Sequence, residues 1–107
     1  MKPVHFVGTA RKDLAAFPES ARRHAGQDLF LVQLGREPAD FKPMPTVGSG
    51  AFEIRVRDET GAFRVIYVAK FGTAVYVLHA FQKKTQKTPS LDIELAARRY
   101  RVIGELP

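Results

Sequence analysis

The chain has 107 residues, 45% of them hydrophobic, and no cysteine. We therefore expect a single domain over residues 1–107 with one hydrophobic core, and the composition excludes disulfides, thiolate nucleophiles and cysteine-based metal sites. No segment has the apolar length of a signal peptide or a membrane-spanning helix, which predicts a cytoplasmic protein. The net charge of +6, from 17 Lys and Arg against 11 Asp and Glu, favours a polyanionic partner, either nucleic acid or an acidic protein.

The N-terminal third of the chain predicts one strand followed by two helices. Residues 4–7 are β-prone and end at a Gly-Thr pair, so they form a first strand. Thr9 is a suitable N-cap for a short helix over residues 11–17, and the proline that follows suits the first turn of another helix. This second helix is predicted over residues 19–34, with Gly35 as its C-cap. Its apolar stripe has spacings of three and four, at Ala21, Ala25, Leu29 and Val32.

The segment from Arg36 to Gly50 is predicted to be an ordered loop. Its prolines and glycines are too dense for a helix or a central strand, because proline lacks a backbone donor and glycine weakens both structures. They are Pro38, Pro43, Pro45, Gly48 and Gly50. The chain has no internal repeat and no low-complexity tract.

The strongest β pattern of the chain follows this loop. Residues 52–57 alternate between apolar and charged side chains, which predicts a strand with one buried and one charged face. The turn Asp58–Gly61 leads into a return strand over residues 63–68, whose odd-numbered and even-numbered residues lie on opposite faces. Gly72-Thr73 forms a second turn, and residues 74–82 form a third strand. The three strands are therefore predicted to form an antiparallel meander.

A last helix is predicted at the C-terminal end of the sequence. Thr88 is its expected N-cap and Pro89 its first residue, with Asp92 and Glu94 in or near the first turn. Its packed side is expected to contain Leu91, Leu95 and Ile103. The element order β-α-α-β-β-β-α predicts an α+β fold with a small antiparallel sheet. Two N-terminal helices are expected on one face of this sheet, and the C-terminal helix at its edge.

The third strand and the turn after it carry a motif that resembles a known family. Residues 78–89 read Leu-His-Ala-Phe-Gln-Lys-Lys-Thr-Gln-Lys-Thr-Pro and lead into Asp-Ile-Glu-Leu-Ala at residues 92–96. This run resembles the signature of phage-derived HigB-like toxins, a subfamily of the RelE/HigB-like toxin superfamily. Residues 52–55 and 63–67 resemble the central hairpin of that family, and residues 17–19 resemble the start of its second helix.

The resemblance implies a RelE-like fold and the toxin of a type II toxin–antitoxin system. Such toxins are metal-independent endoribonucleases, or mRNA interferases, that need no cofactor, cleave mRNA, often on the ribosome, and so inhibit translation. A cognate antitoxin with a helix-turn-helix domain holds them inactive. RNA cleavage without a metal requires three things: the 2′-OH must lose a proton, the charge on the phosphorane must be neutralised, and the leaving 5′ oxygen must gain a proton.

Basic residues of the predicted meander are the candidates for this chemistry. The position of Arg64 resembles that of the phosphate-contacting arginine of RelE-like toxins, and a guanidinium can hold two phosphate oxygens at once. Lys83 and Lys84 follow the third strand and are expected to point to opposite sides unless the strand bends, so at most one is expected to face the scissile phosphate. Lys87 is a candidate for contacts with the RNA backbone. The alternatives are a salt bridge from Arg64 to Glu53 and a solvated, lysine-rich turn.

Four further residues are candidates for proton transfer or RNA contacts. His79 is expected to share a strand face with Val77, Phe81 and Lys83; histidine titrates near neutrality, which suits an acid or base, but among apolar neighbours it is more often structural. Phe81 is a candidate for stacking on a base, with an ordinary core role as the alternative. Arg55 and Arg57 lie on the charged face of the first meander strand. Arg55 lines the same groove as Arg64 if the strand register, which the sequence leaves open, places them together.

The sequence also bears on other kinds of site and of function. The scattered histidines predict no metal site, and no glycine-rich phosphate loop or nucleophile-elbow serine is present. One alternative function is a non-catalytic module, such as a degenerate prophage toxin, that binds RNA or an acidic protein through the same basic groove. A structural adaptor with incidental charge is the other. Substitution of the basic residues separates them, because only an enzyme has cleavage to lose. The sequence leaves the oligomeric state undetermined.

Overall fold

The computed structural model describes residues 1–69, 72 and 74–104 of the chain and contains a five-stranded sheet with helices on both faces. The strands are β1 (Val4–Phe6), β2 (Phe41–Pro43), β3 (Ala51–Asp58), β4 (Gly61–Val68) and β5 (Val75–Lys83). The helices are α1 (Ala10–Ala15), α2 (Glu19–Gln33) and α3 (Ser90–Gly104). The order in the sheet is β1-β5-β4-β3-β2, with β1 parallel to β5 and the other neighbouring pairs antiparallel. The predicted α+β class and the antiparallel meander of β3, β4 and β5 are confirmed.

Helices α1 and α2 cover one face of the sheet, and the larger of two apolar cores lies beneath them. The predicted stripe of α2 is confirmed, because all four of its residues are buried in this core. Phe17, between the two helices, packs against Phe63 of β4 with ring centroids 4.9 Å apart. The sheet side of this core consists of Ile54, Val56, Phe63, Val65, Tyr67, Val75, Val77 and Ala80.

Helix α3 covers the opposite face of the sheet. Ala96 and Ile103 of α3 are buried against Ile66 and Val68 of β4 and Leu78 of β5. The helix was predicted at the edge of the sheet. It lies instead over the second face, nearest to β5, which is the strand next to the edge strand β1. None of the helices formed by the described residues is long and apolar enough to cross a membrane.

The C-terminal end of α2 depends on Gly35. This residue has a φ of 80°, in the left-handed region that glycine adopts without steric cost. Its amide donates to the Val32 carbonyl at 3.0 Å, and the Arg36 amide donates to the Leu31 carbonyl at 2.8 Å. These two bonds form a Schellman motif, so the predicted C-terminal glycine is confirmed.

Replacing Gly35 with Ala is expected to lower the free energy of unfolding by about 1–2 kcal/mol, because a Cβ disfavours the left-handed conformation. A Cβ at this position would meet no atom within 4 Å, so the cost comes from the backbone alone. Gly26→Ala is the matched control, since Gly26 lies inside α2 and its added Cβ also meets nothing within 4 Å. That change should stabilise the protein by about 0.5–1 kcal/mol. Urea unfolding measures both, and a stabilising Gly35→Ala would contradict the role of the motif.

The predicted loop between residues 36 and 50 contains a strand, so the prediction was wrong at this point. Residues Phe41–Pro43 form β2, which pairs antiparallel with Phe52–Ile54 of β3. Phe41 also packs edge-on against Phe52, with ring centroids 5.6 Å apart. Pro43 is tolerated because β2 is an edge strand, whose outer side needs no backbone donor. The three residues of β2 pair with residues 9 to 13 positions further along the chain and are too few to show a local periodicity.

A bulge in β5 changes which residues share a face. Ile66 of β4 pairs with His79, but Tyr67 pairs with Val77, so Leu78 is an extra residue without a partner on β4. The predicted common face of the odd-numbered residues is therefore wrong at Val77, which belongs to the core beneath α1 and α2. Three odd-numbered residues do share the opposite face, namely His79, Phe81 and Lys83.

Candidate functional site

The register of the meander places four basic residues on one face of the sheet. Arg55 of β3 lies directly opposite Arg64 of β4. Arg57 lies opposite Ala62, which is itself opposite Lys83 of β5. Like charges directly opposite each other destabilise a sheet, so the arrangement is suited to a bound anion that neutralises them.

These side chains line a cleft of about 430 Å³ beside the β3–β4 hairpin. Every ionisable side chain that lines it is cationic, which suits contacts with several phosphate groups. The described part of the chain contains no group of three histidine or carboxylate side chains that could hold a metal ion. The cleft is lined by Arg55, Arg57, Ala62, Arg64, Lys83, Lys84, Thr85 and Gln86.

Arg64 is the most deeply buried cation of this cleft, with only 3% of its surface exposed. Its Nη1 donates to the Phe63 carbonyl at 2.9 Å, and its Nε lies 3.4 Å from Oε1 of Glu53. Burial lowers the pKa of Arg64, as do Arg55 and Arg57, whereas Glu53 opposes the shift. A guanidinium remains charged under such conditions, so Arg64 presents a fixed positive charge to the cleft.

Glu53 was predicted on the charged face of β3, but its side chain is completely buried. Its Oε2 accepts a hydrogen bond of 2.9 Å from the Thr88 hydroxyl, and its Oε1 forms the ion pair with Arg64. Thr88 is therefore not the N-cap of α3, which begins at Ser90. From the sequence, Glu53 is expected only as an alternative partner of Arg64, and its contact with Thr88 is not predicted. The available signal was a lone carboxylate on a strand face otherwise occupied by arginines.

Lys83 and Lys84 both line the cleft, in contrast to the prediction that they point to opposite sides. The reason is that β5 ends at Lys83, so strand alternation no longer applies to Lys84. Lys83 is half-buried, and its Nζ donates to the Gln86 carbonyl at 2.5 Å. Partial burial lowers the pKa of Lys83, and the neighbouring charges of Arg64 and Arg55 lower it further. The cleft thus contains one lysine that loses its proton more readily than an ordinary lysine.

His79 and Phe81 lie outside the cleft. The two rings stack with their centroids 4.9 Å apart, and Nε2 of His79 lies 2.6 Å from Oδ1 of Asp92 on α3. Both border a separate, largely apolar groove near Phe17 and Pro18. The geometry connects His79 with the packing of α3 rather than with the basic residues, and the roles suggested for His79 and Phe81 in catalysis and base stacking stay predictions.

Lys87 also lies outside the cleft but close to it. It lines a neighbouring groove together with Lys42 and Thr46. Gln86 lines both this groove and the cleft, so the two are adjacent. An RNA strand that extends beyond the cleft would pass Lys87, and its predicted contact with the RNA backbone remains a prediction.

Comparisons with known proteins give a family and a fold. Residues 12–101 match the model of a family described as phage derived protein Gp49-like. A mutant of the Escherichia coli toxin RelE in the free state matches with a TM-score of 0.63 and 14% identity, over 95% of this chain and 97% of that chain. A chain of the toxin–antitoxin complex RelBE2 from Mycobacterium tuberculosis matches with a TM-score of 0.54 and 24% identity, over 77% of this chain and 98% of that chain. No curated protein matches the sequence significantly.

The family match includes the parts of the chain that form the cleft. It extends from α1 through the β3–β4 hairpin and the lysine-rich segment into α3. The two structural matches, at 14% and 24% identity, show that this chain and those proteins have the same fold. Both agree with the resemblance found in the sequence. The chain therefore belongs to the phage-derived Gp49-like family, and it has the fold of RelE toxins.

Proposed function

We propose that the protein is the toxin of a type II toxin–antitoxin system, a metal-independent endoribonuclease that cleaves mRNA on the ribosome and so inhibits translation. The observation that carries the proposal is the cleft, in which three arginines and two lysines converge on one face of a RelE fold. Such a cleft attracts RNA phosphates, and buried Arg64 provides a preorganised charge for the transition state. Family membership and fold support the toxin role.

The residues of the cleft divide naturally between chemistry and binding. Arg64 neutralises the charge that develops on the phosphorane, because a guanidinium matches two phosphate oxygens. Lys83 is the candidate for proton transfer, since its lowered pKa makes the neutral amine more available to accept the 2′-OH proton. Arg55, Arg57 and Lys84 hold the neighbouring phosphates. Attack of the 2′ oxygen on phosphorus then forms a 2′,3′-cyclic phosphate and breaks the bond to the 5′ oxygen, which takes a proton from the ammonium group of Lys84 in the same cleft.

A cognate antitoxin is the second partner in this proposal. The net charge of +6 and the cationic cleft are complementary to an acidic segment of such a protein. One structure with the same fold comes from a toxin–antitoxin complex, which supports a partner of this class. We propose that the antitoxin carries a helix-turn-helix domain, and that both proteins act in the cytoplasm.

Induced expression in a bacterial host tests the function directly. The wild type is expected to stop growth and protein synthesis and to cleave mRNA in primer-extension assays. A Lys83→Ala/Lys84→Ala variant should cleave at least about 100-fold more slowly, the range typical for loss of an acid–base group. Lys12→Ala is the matched control and should remain fully toxic, because Lys12 is an exposed lysine on α1 outside the cleft.

Folded wild-type protein that neither stops growth nor cleaves RNA would contradict the proposal. If such a protein bound RNA with an affinity that falls steeply with salt, the chain would be a non-catalytic binding module. Weak RNA binding whose affinity does not depend on the salt concentration would favour a structural adaptor. Purified protein with and without ribosomes distinguishes cleavage of free mRNA from cleavage that needs the ribosome.

A further inference from the structure

We propose that Glu53 is a positioning residue that holds both walls of the cleft, Arg64 on one side and the lysine-rich segment 84–88 on the other. The inference rests on the proposed ribonuclease function. It concerns a residue that does not line the cleft and would not touch the RNA. Its effect would be transmitted through Arg64 and Thr88.

The burial of the Glu53 carboxylate is not fully compensated by its contacts. Its side chain is only 1% exposed, and a carboxylate removed from water is retained only with charges or hydrogen bonds that compensate. Nε of Arg64 and Oε1 of Glu53 lie 3.4 Å apart, and within the described residues neither atom has a hydrogen bond. An apolar residue would fill this position with less desolvation. We therefore explain the carboxylate by its effect on the orientation of Arg64 and of segment 84–88, and not by a contribution to the stability of the fold.

A hydrogen bond also connects Glu53 with Thr88. The Thr88 hydroxyl donates to Oε2 of Glu53 at 2.9 Å, which joins positions 35 residues apart in the chain. Thr88 ends the segment whose side chains close the cleft, and α3 begins two residues later. Two further bonds, from Lys83 to the Gln86 carbonyl and from Thr85 to the Lys87 carbonyl, brace this segment internally. Glu53 thus anchors its far end to the sheet.

The contacts of Arg64 fix the orientation of its guanidinium. Nη1 of Arg64 donates a hydrogen bond to the Phe63 carbonyl, and Nε faces Glu53. Nη2 makes no hydrogen bond with the described residues and remains available to a phosphate. RNA affinity comes from many cations together, whereas the chemical step depends on the alignment of a few groups. Loss of the contacts that Glu53 makes with Arg64 and Thr88 should therefore reduce the cleavage rate much more than the affinity for RNA.

Single-turnover cleavage and RNA binding by the purified protein test this split. Thr88→Val, which keeps the shape and removes the hydroxyl, is expected to lower the cleavage rate constant about 10- to 100-fold. Its Kd for an RNA with a 2′-deoxy substitution at the scissile position should change less than about threefold, because the phosphate contacts are retained. Thr88→Ser should restore cleavage. Glu53→Gln keeps an acceptor for the Thr88 hydroxyl but removes the charge that faces Arg64, so it should lower the cleavage rate constant through Arg64 alone. Glu94→Gln, an exposed position on α3, is the control.

The outcomes separate the inference from the proposed function. Cleavage by Thr88→Val at the wild-type rate would overturn the positioning role while leaving the ribonuclease intact. Equal losses of rate and affinity that Thr88→Ser does not repair would indicate a merely structural contact and also overturn it. A wild type without any cleavage would overturn the proposed function and the catalytic meaning of the inference with it.

Hydrogen exchange of the Arg64 Nε–H, measured by NMR, is a readout that needs no activity. Faster exchange in Glu53→Gln supports the orientation of Arg64 by Glu53, and unchanged exchange contradicts it.

Discussion

Arg64→Lys is expected to reduce RNA cleavage about 10²- to 10³-fold, the cost typical for removal of one preorganised transition-state donor. A lysine retains the positive charge beside Glu53, so the buried ion pair is kept and the fold should persist. It lacks the fork that contacts the Phe63 carbonyl, the Glu53 carboxylate and a phosphate at the same time. Single-turnover kinetics measure the effect, with circular dichroism to confirm the fold.

Arg57→Lys is the matched control for this change. Arg57 lines the same cleft but is exposed to solvent, so its contact with RNA is hydrated and less dependent on geometry. We expect a loss of only a few-fold there. Arg11→Lys, at an exposed position on α1, should have no effect. Cleavage by Arg64→Lys at the rate of Arg57→Lys would show that position 64 contributes charge alone and would contradict the assigned role.

The Glu53–Arg64 pair should show strong coupling in stability. Glu53→Gln leaves a buried guanidinium without its counter-ion, and Arg64→Met leaves a buried carboxylate, so each should lower the free energy of unfolding by about 3–5 kcal/mol. The double variant removes both charges and keeps an acceptor for the Thr88 hydroxyl. Its loss should be smaller than the sum of the single losses by at least about 2 kcal/mol.

Urea unfolding at neutral pH of the four proteins in this cycle measures the coupling. If the losses in free energy of unfolding of the two single variants add up to that of the double variant within about 0.5 kcal/mol, the two side chains do not interact. Exposed Arg23 and Glu19 on α2, whose atoms lie 2.7 Å apart, provide a control pair. Their coupling should be only about 0.3–0.5 kcal/mol, because solvent screens an exposed pair.

The basic residues of the candidate site could be found in the sequence because they stand in regular local patterns. Alternation in residues 52–57 and 63–68 assigned Arg55, Arg57 and Arg64 to the face opposite the main core, and the structure has them there. Their proximity could not be predicted. It depends on a register in which Asp58 pairs with Gly61 and Arg55 with Arg64. A shift of one residue would have placed each arginine beside a different neighbour.

Glu53 shows the limit of the same reasoning. Alternation treats every charged residue of β3 alike, yet Arg57 is exposed and Glu53 is fully buried. Thr88, 35 residues away in the chain, donates a hydrogen bond to the buried Glu53 carboxylate, and no local pattern of β3 contains this contact. Thr88 carries a strong local preference for a helix cap, and this tertiary contact overrides it.

The sequence by itself determined the elements whose signals are local: the apolar stripe of α2, its glycine terminus, and the alternating strands of the hairpin. Such patterns are visible because neighbouring residues report on the same face or the same turn. Only the tertiary structure decided the short strand β2, the bulge at Leu78 and the burial of Glu53. Each depends on a partner distant in sequence, and the free energy of such a contact is shared between segments that no local window contains together.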